Sequence, residues 1–348
     1  MLFGTQLKCR FQESRRFDGA RPPNVRATRS AQREKYEMTD YSSIEILPTP
    51  SEQALDLASN VLKRFRRHRG AIAGMFIFGI LILFCIAAFL SPYNPETSQL
   101  SEKFQSPSSS HLFGTDALGR DLFTRILYGG RISLSVGGLA VAISLLLGVP
   151  IGALAGYYGG NIDAMLMRVT DAFLSLPPFL VLILLASILR EVELPLFQRN
   201  SVLTIGLVIG ILSWMTFARL VRAAFLTLRE LDYVSAARAL GAGDRQIILH
   251  HILPNGIGVV IVEATLQLGY AIIQESGLSF LGFGIQQPTP SWGNLIATAQ
   301  DHFIKYPWLA IFPGLMIFLT IISVNYIGDG LRDAFDPYKV LERVGEYT

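Results

Sequence analysis

The residue constellations that carry chemistry survive in this 348-residue chain only as fragments. No lysine follows a glycine anywhere, so the glycine-rich loop whose backbone and lysine cradle nucleotide phosphates is missing, and ATP hydrolysis by that route is excluded. Gly277-Leu278-Ser279-Phe280-Leu281-Gly282 sets a serine between glycines, but one residue too widely for the sharp turn that exposes a serine nucleophile. Its Gly-x-Ser start would also suit an intramembrane protease, yet the apolar run from Leu309 brings no histidine to act as base. His250 and His251 are adjacent, and neighbours on a helix diverge by about 100 degrees, so the pair does not chelate one ion. Cys9 and Cys85 lie in a polar tail and an apolar run. No catalytic group, metal or cofactor is expected. What remains is a set of ionisable residues among apolar ones. Glu263 lies deepest, Asp171 follows Arg168 by three residues, and Glu275 falls toward the outer boundary. A charge in lipid costs about 3 kcal/mol, so such groups serve transport or are neutralised by protonation or pairing. Asp171 reads most simply as a membrane-edge pair with Arg168.

The elements that must position these groups are membrane helices. The chain is 51% hydrophobic and 16% charged, a composition of multi-span membrane proteins. Six apolar runs are long enough to cross a bilayer at about 1.5 Å per residue: 70–90, 132–157, 169–189, 202–220, 256–274 and 309–326. The expected fold class is an all-α integral membrane protein with six transmembrane helices. Lys63 to Arg69, KRFRRHR, abuts the first run, and the segments that share its side hold 14 Lys and Arg against 7 on the other. By the positive-inside rule the richer side, with both termini, is cytoplasmic. The net charge of +3 is small and its basic residues flank apolar runs, which fits membrane lipid as partner and not nucleic acid.

Residues 1–62 lack an apolar run, and the first 37 carry nine Lys or Arg against four Asp or Glu, a composition that cannot bury a core. A disordered cytoplasmic tail is expected there, with no cleaved signal, and Met38 is a candidate for the natural start. Next come a first span with an external segment at 63–131, a membrane domain at 132–330 and a cytoplasmic tail at 331–348. In the external segment, Leu122, Phe123, Ile126 and Leu127 form one stripe, Asp121 and Arg125 are spaced to pair, and Gly129-Gly130 is expected to stop a helix lying on the outer surface. Gly148, Gly152 and Gly156 suit close helix packing in lipid. Pro177-Pro178 breaks the third run and frees carbonyls that must face protein or water, which places Pro177 beside a pore.

One polar island interrupts the apolar runs: Leu231 to Asn255, LDYVSAARALGAGDRQIILHHILPN. Asp232 is placed to cap a helix from Tyr233, Gly241 to end it in the left-handed conformation, and Asp244 to cap a second short helix. Pro254 fits the first turn of the next span, where a missing N–H costs nothing. The island lies on the cytoplasmic side of the expected topology.

Ala236-Ala237, three residues, Gly241, then Leu253-Pro254 resembles the EAA motif, the coupling loop of permease subunits in ATP-binding-cassette importers. Ser235 stands where that motif usually has Glu, and His251 where it has Ile. Gly114-Thr115-Asp116, Gly119-Arg120-Asp121 with Arg125, Glu275 to Asn294 and Gly328 to Pro337 are similar to the C-type subunit of the dipeptide, oligopeptide and nickel permease group. The resemblance covers about residues 65–337 and implies a type-1 permease domain over 132–330. It also implies a subunit of an ATP-driven peptide importer in the bacterial inner membrane, with nickel or another small solute as the alternative cargo. The implied partners are a second related permease, two ATP-binding subunits and an extracytoplasmic solute-binding protein. Tyr233, Ser235, Ala236, Ala237, Arg238, Gly241 and Pro254 would meet the ATPase. Glu263, Asp171 and Pro177 would line the path, Glu263 meeting a peptide's amino group. Two other classes fit the bare residues: a proton-coupled transporter using Glu263, Asp171 or Glu275 as relays, and a membrane receptor that uses the island as a scaffold.

Overall fold

A computed structural model of the chain describes residues 61–191 and 202–335. The expectations for the N-terminal tail and for the last residues lie outside them. Among the described residues there is no β-strand, only an isolated bridge between Thr115 and Asp121. Helix α1 spans Arg69–Ile86, with His68 capping it by accepting a hydrogen bond from the Ala71 N–H at 3.0 Å. Helix α2 spans Leu122–Tyr158, α3 Gly160–Leu174 and α4 Pro178–Glu191. Helix α5 spans Val202–Ile211, α6 Trp214–Leu228 and α7 Asp232–Ala239. The long helix α8 runs over Asp244–Phe280, followed by α9 at Trp292–Ala299 and α10 at Trp308–Phe335.

Among the described residues four helices (α1, α2, α8 and α10) are long and apolar enough to cross a membrane, and the count reaches six when the bent pairs α3–α4 and α5–α6 are each one span. The bends have local causes. Between α3 and α4 the chain turns by 84°. There Pro177 offers its carbonyl to the N–H groups of Leu180 and Val181, at 3.1 and 3.2 Å, while Pro178 opens α4. The proline pair therefore ends one helix and starts another instead of kinking a straight span. The α5–α6 pair bends by 45° at Leu212-Ser213, and α6 carries on to Leu228, well beyond the expected end of that span at residue 220.

Helix α2 corrects the reading of the external segment. It passes through Gly129-Gly130 without a stop and starts ten residues before Ile132, so the expected division at 131/132 falls inside one helix of 37 residues. A glycine inside a helix costs about 1 kcal/mol against alanine, and here the missing side chains admit neighbours. A Cβ on Gly130 would meet the Trp292 ring at 2.7 Å, and one on Gly129 would meet the Ser291 backbone at 3.2 Å. Leu122 and Ile126 of the stripe pack with Trp292, Leu295 and Leu309, and Leu127 is buried as well. Asp121 does not pair with Arg125. It caps α2, accepting from the Thr124 N–H at 2.8 Å and facing His111 Nδ1 at 2.9 Å. Arg125, wholly buried, donates to the Pro95 carbonyl at 2.7 Å and lies 3.6 Å from Asp116. Asp116 also accepts from Arg120 Nε at 2.7 Å, and Arg120 reaches Gln287 at 3.0 Å. These residues fold the 91–121 segment onto the start of α2.

The glycine stripe behaves as expected. Gly148, Gly152 and Gly156 bring α2 against α6 so closely that a Cβ on any of them would run into backbone, at 2.5 Å from the Trp214 carbonyl oxygen in the case of Gly148. The start of α1 and the end of α10 meet, with Arg64 within 3.5 Å of the Ala334 carbonyl and Gly330 against Ala71. Phe335 packs on Gly258 in the part of α8 next to the polar island. The basic run at 63–69 and the polar island thus lie at one end of the bundle.

Candidate coupling site and translocation face

Helix α7 is polar and short, and its hold on the molecule is one residue deep. Val234 is fully buried in a cluster with Phe217, Val221 and Phe225 of α6 and Ile247 and Ile252 at the start of α8. Around it Tyr233, Ser235, Ala236 and Arg238 are exposed and Ala237 is half-buried, while Leu240 is 90% exposed. Leu240 thus stands almost bare beside two alanines and an arginine.

The ends of α7 differ from expectation at one side and match it at the other. Leu231, with extended backbone, is the N-cap, and Asp232 is the first helical residue with no side-chain cap bond. The Val234 and Ser235 N–H groups bond instead to the Leu231 carbonyl. At the far end Gly241 has φ of +86°. Its N–H bonds to the Arg238 carbonyl and the Ala242 N–H to the Ala237 carbonyl, both near 3.0 Å, which is the Schellman pattern that closes a helix through a left-handed residue.

The return arm is also not a separate capped helix. Asp244 opens α8 without capping it, and its carboxylate accepts a hydrogen bond from the Tyr157 hydroxyl at 2.7 Å, which ties the loop to the end of α2. Residues Ile247–Ile252 form a π-helical turn that runs straight into the α-helical stretch from Leu253. Pro254 sits in the first turn of that stretch, as expected, but inside a continuous helix. The wider π turn accommodates a residue that cannot donate to the carbonyl a turn before it. Asn255 donates to the His251 carbonyl at 2.6 Å and reaches the Tyr233 hydroxyl at 3.4 Å. Partial burial raises the Tyr233 phenol above its ordinary pKa, so it stays neutral at the island.

Of the expected path residues, Glu263 lies half-buried in the middle of α8 and has no hydrogen-bond or ion partner among the described residues. It shares a helix face with Val259, Tyr270 and Ile273, which are 41%, 62% and 47% exposed. Farther along that face, Phe179 of α4 packs on Gly277, so the face ends beside the break that follows Pro177. Pro177 itself is exposed. Asp171 does not pair with Arg168. It binds Arg219 of α6, and both side chains are more than half exposed. Glu275, near the far end of α8, is wholly buried, accepting from Ser133 at 2.9 Å and from Ser279 at 2.7 Å. Each serine in turn accepts a backbone N–H, of Trp292 and Ile285, so the carboxylate staples α2, α8 and the approach to α9. Adjacent spacing in sequence carries no sign of this cluster, since Ser133 and Glu275 stand 142 residues apart.

Among the described residues the molecule is a helical bundle that holds out a braced, exposed helix at the same end as its basic run. The chain belongs to the family of binding-protein-dependent transport system inner membrane components, whose pattern matches residues 148–339. Residues 57–107 match the N-terminal transmembrane domain of oligopeptide transport permease C. Over 293 residues the chain is 40% identical to the dipeptide transport system permease protein DppC of Alkalihalophilus pseudofirmus, covering 83% of this chain and 93% of that one. It is 37% identical to the oligopeptide transport system permease protein OppC of Bacillus subtilis, over 82% and 92% of the two chains. The glutathione transport system permease protein GsiD of Pectobacterium atrosepticum is 39% identical, over 79% and 89%. An inward-facing structure of the MetNI methionine ABC transporter shares the fold, with a TM-score of 0.50 at 15% identity over 60% of this chain and 96% of that one.

Proposed function

We propose that this permease forms half of the pore of an ATP-driven peptide importer and that α7 is its coupling helix. The observation that carries the reading is the α7 surface: Tyr233, Ser235, Ala236, Ala237, Arg238 and Leu240 around a single buried anchor, Val234, closed by the left-handed turn at Gly241. Alanines allow close seating in a cleft of an ATP-binding subunit, and Arg238 offers it a charge. The energy comes from that subunit, since this chain has no phosphate loop. Two such ATPases, a second related permease and an extracytoplasmic binding protein complete the machine. It sits in the inner membrane with both termini cytoplasmic. Differential contact of α7 with the two ATPase states shifts the pore between its outward and inward forms.

The face of α8 around Glu263 and Tyr270 lines the path, because a carboxylate in mid-span is costly against lipid and finds no partner among the described residues. Peptide cargo is supported by the dipeptide, oligopeptide and glutathione permeases among the relatives. Uptake into vesicles tests the reading: transport of a labelled dipeptide should require ATP, the ATPases and the binding protein together. Uptake driven by a proton gradient with no ATPase present would overturn it.

A further inference from the structure

Helix α3 is held in an unusual way. Thr170 is its one buried residue, while Ile162, Met165, Val169 and Phe173 are between 41% and 69% exposed. Apolar packing within this chain therefore does little to place it, apart from an edge contact of Phe173 with the Trp214 ring at 6.3 Å and Leu174 against the Trp214 and Met215 cluster. Its joint to α2 is Gly159-Gly160, with φ of +66° and +53°, two residues whose backbone freedom leaves the angle open. What reaches α3 is charge. Arg222 of α6 holds Asp163 in a two-bond fork, with Nη2 donating to Oδ2 at 2.6 Å and Nε to Oδ1, and Arg219 binds Asp171. A third arginine on that face, Arg229, donates to the Gly156 and Tyr157 carbonyls at 2.9 and 3.2 Å, closing the end of α2.

The spacing shows that these are bonds across a crossing. Asp163 and Asp171 are about 12 Å apart along α3 by helical rise, whereas Arg219 and Arg222 are about 4.5 Å apart on α6. Long guanidinium side chains span the difference in spacing. The two pairs are unequal. Both side chains of Arg219–Asp171 are exposed, so solvent screens the pair. The Asp163 side chain is only 16% exposed and is held by two bonds, so solvent screens this pair less than the other. The fork at Asp163 is the principal tie.

On α6 the other side of the connection is short. Arg229, Glu230 and Leu231 lead from α6 to α7, and Val234 of α7 packs among Phe217, Val221 and Phe225 of α6. We propose that Asp163 and Arg222, assisted by Asp171 and Arg219, are positioning residues for transport. They make the bent pair α3–α4 travel with the coupling helix instead of with whatever covers the exposed face of α3. This rests on the reading of α7 as the ATPase-docking helix. Motion of α7 reaches α6 through Val234, crosses to α3 through the fork, and arrives at the Pro177 break beside the Glu263 face.

The test uses the assembled importer in vesicles, comparing Asp163→Asn, Arg222→Gln and the exchange of Asp163→Arg with Arg222→Asp. Each single variant should lower peptide transported per ATP hydrolysed by about tenfold, the size of a lost coupling between two sites, while the ATPase still co-purifies and hydrolyses ATP. The exchange should recover most of the ratio. An unchanged ratio in the single variants, with loss of transport only in proportion to loss of subunit, would mean the pair is merely structural and would overturn the proposal. Spin labels at Met165 on α3 and Thr227 on α6 give a second readout in the otherwise native chain. Their separation should stay constant between the nucleotide-free and ATP-trapped states, and a change of about a helical turn, 5 Å, would sink the idea even where the exchange variant does not insert. Gly241→Val separates the two readings: normal transport there removes the coupling helix itself, whereas uncoupling by Gly241→Val beside a fully coupled Asp163→Asn removes only this proposal.

Discussion

Apart from its own chain neighbours, no described residue comes within 4 Å of where a Cβ on Gly241 would stand, so a side chain at that position strains the backbone rather than the packing. Gly241→Val should cost about 1–2 kcal/mol at a φ of +86° and shift the α7 surface, lowering both ATPase retention and transport while the subunit still inserts. Gly241→Asn, which tolerates the left-handed region, should retain both; equal loss in the two variants would show that the backbone is not the cause. Leu240, 90% exposed and adjacent, should act as a docking residue. Leu240→Asp is expected to weaken ATPase co-purification by about tenfold or more, as for a buried interface anchor, with no change in the melting of the isolated permease. Ser235 falls one position beyond the place where a Glu would complete a capping box, because the helix starts at Asp232. The difference from the EAA pattern at 235 therefore bears on fit to the ATPase and not on the order of α7.

The α2–α6 seam is the stiff part of the bundle. A Cβ at Gly152 would meet the Ala218 carbonyl oxygen, and backbone cannot swing away as a flexible side chain can. Gly152→Leu should therefore destabilise the permease in detergent by about 1–3 kcal/mol. Gly138 on the same helix is exposed, with nothing within 4 Å of its Cβ direction, and Gly138→Leu should leave the melting temperature unchanged. Similar losses in both would mean that glycine in α2 matters for helix flexibility and not for the seam. The π turn at Ile247–Ile252 belongs to the same scale: it keeps α8 continuous past Pro254, so the return arm of the polar island and the span are one rod.

At the scale of the molecule the ends of the bundle carry the argument. The start of α1, the end of α10 and the polar island gather at one end, and the 91–121 segment closes on Gln287 away from the island. Reporters fused after Ser91, Arg199 and Asp301 should accordingly read external, and those after Gly160, Gly243 and Thr348 cytoplasmic. An external reading at Gly243 would remove α7 from reach of any ATPase and end the coupling account.

The helical membrane character, the place of the island, the glycine seam and the left-handed turn at Gly241 were legible in the chain because each is a local property: apolar run length, basic flanks, small residues at a spacing of four, a residue without Cβ. The helix boundaries were not, because glycines read as stops at 129–130 are paid for by Trp292, and Trp292 stands more than 160 residues away. The same holds for pairing. By spacing alone Asp121 goes to Arg125 and Asp171 to Arg168, but the fold offers each a better partner: an open helix end for Asp121 and Arg219 across the bundle for Asp171. The sequence places Glu275 toward the end of its span with Ser279 a turn away, but only the meeting of α2 with α8 supplies Ser133. Charge is satisfied in three dimensions at long range, while hydrophobic run length and backbone conformation are written residue by residue, and that difference separates what the sequence determined from what the tertiary structure decided.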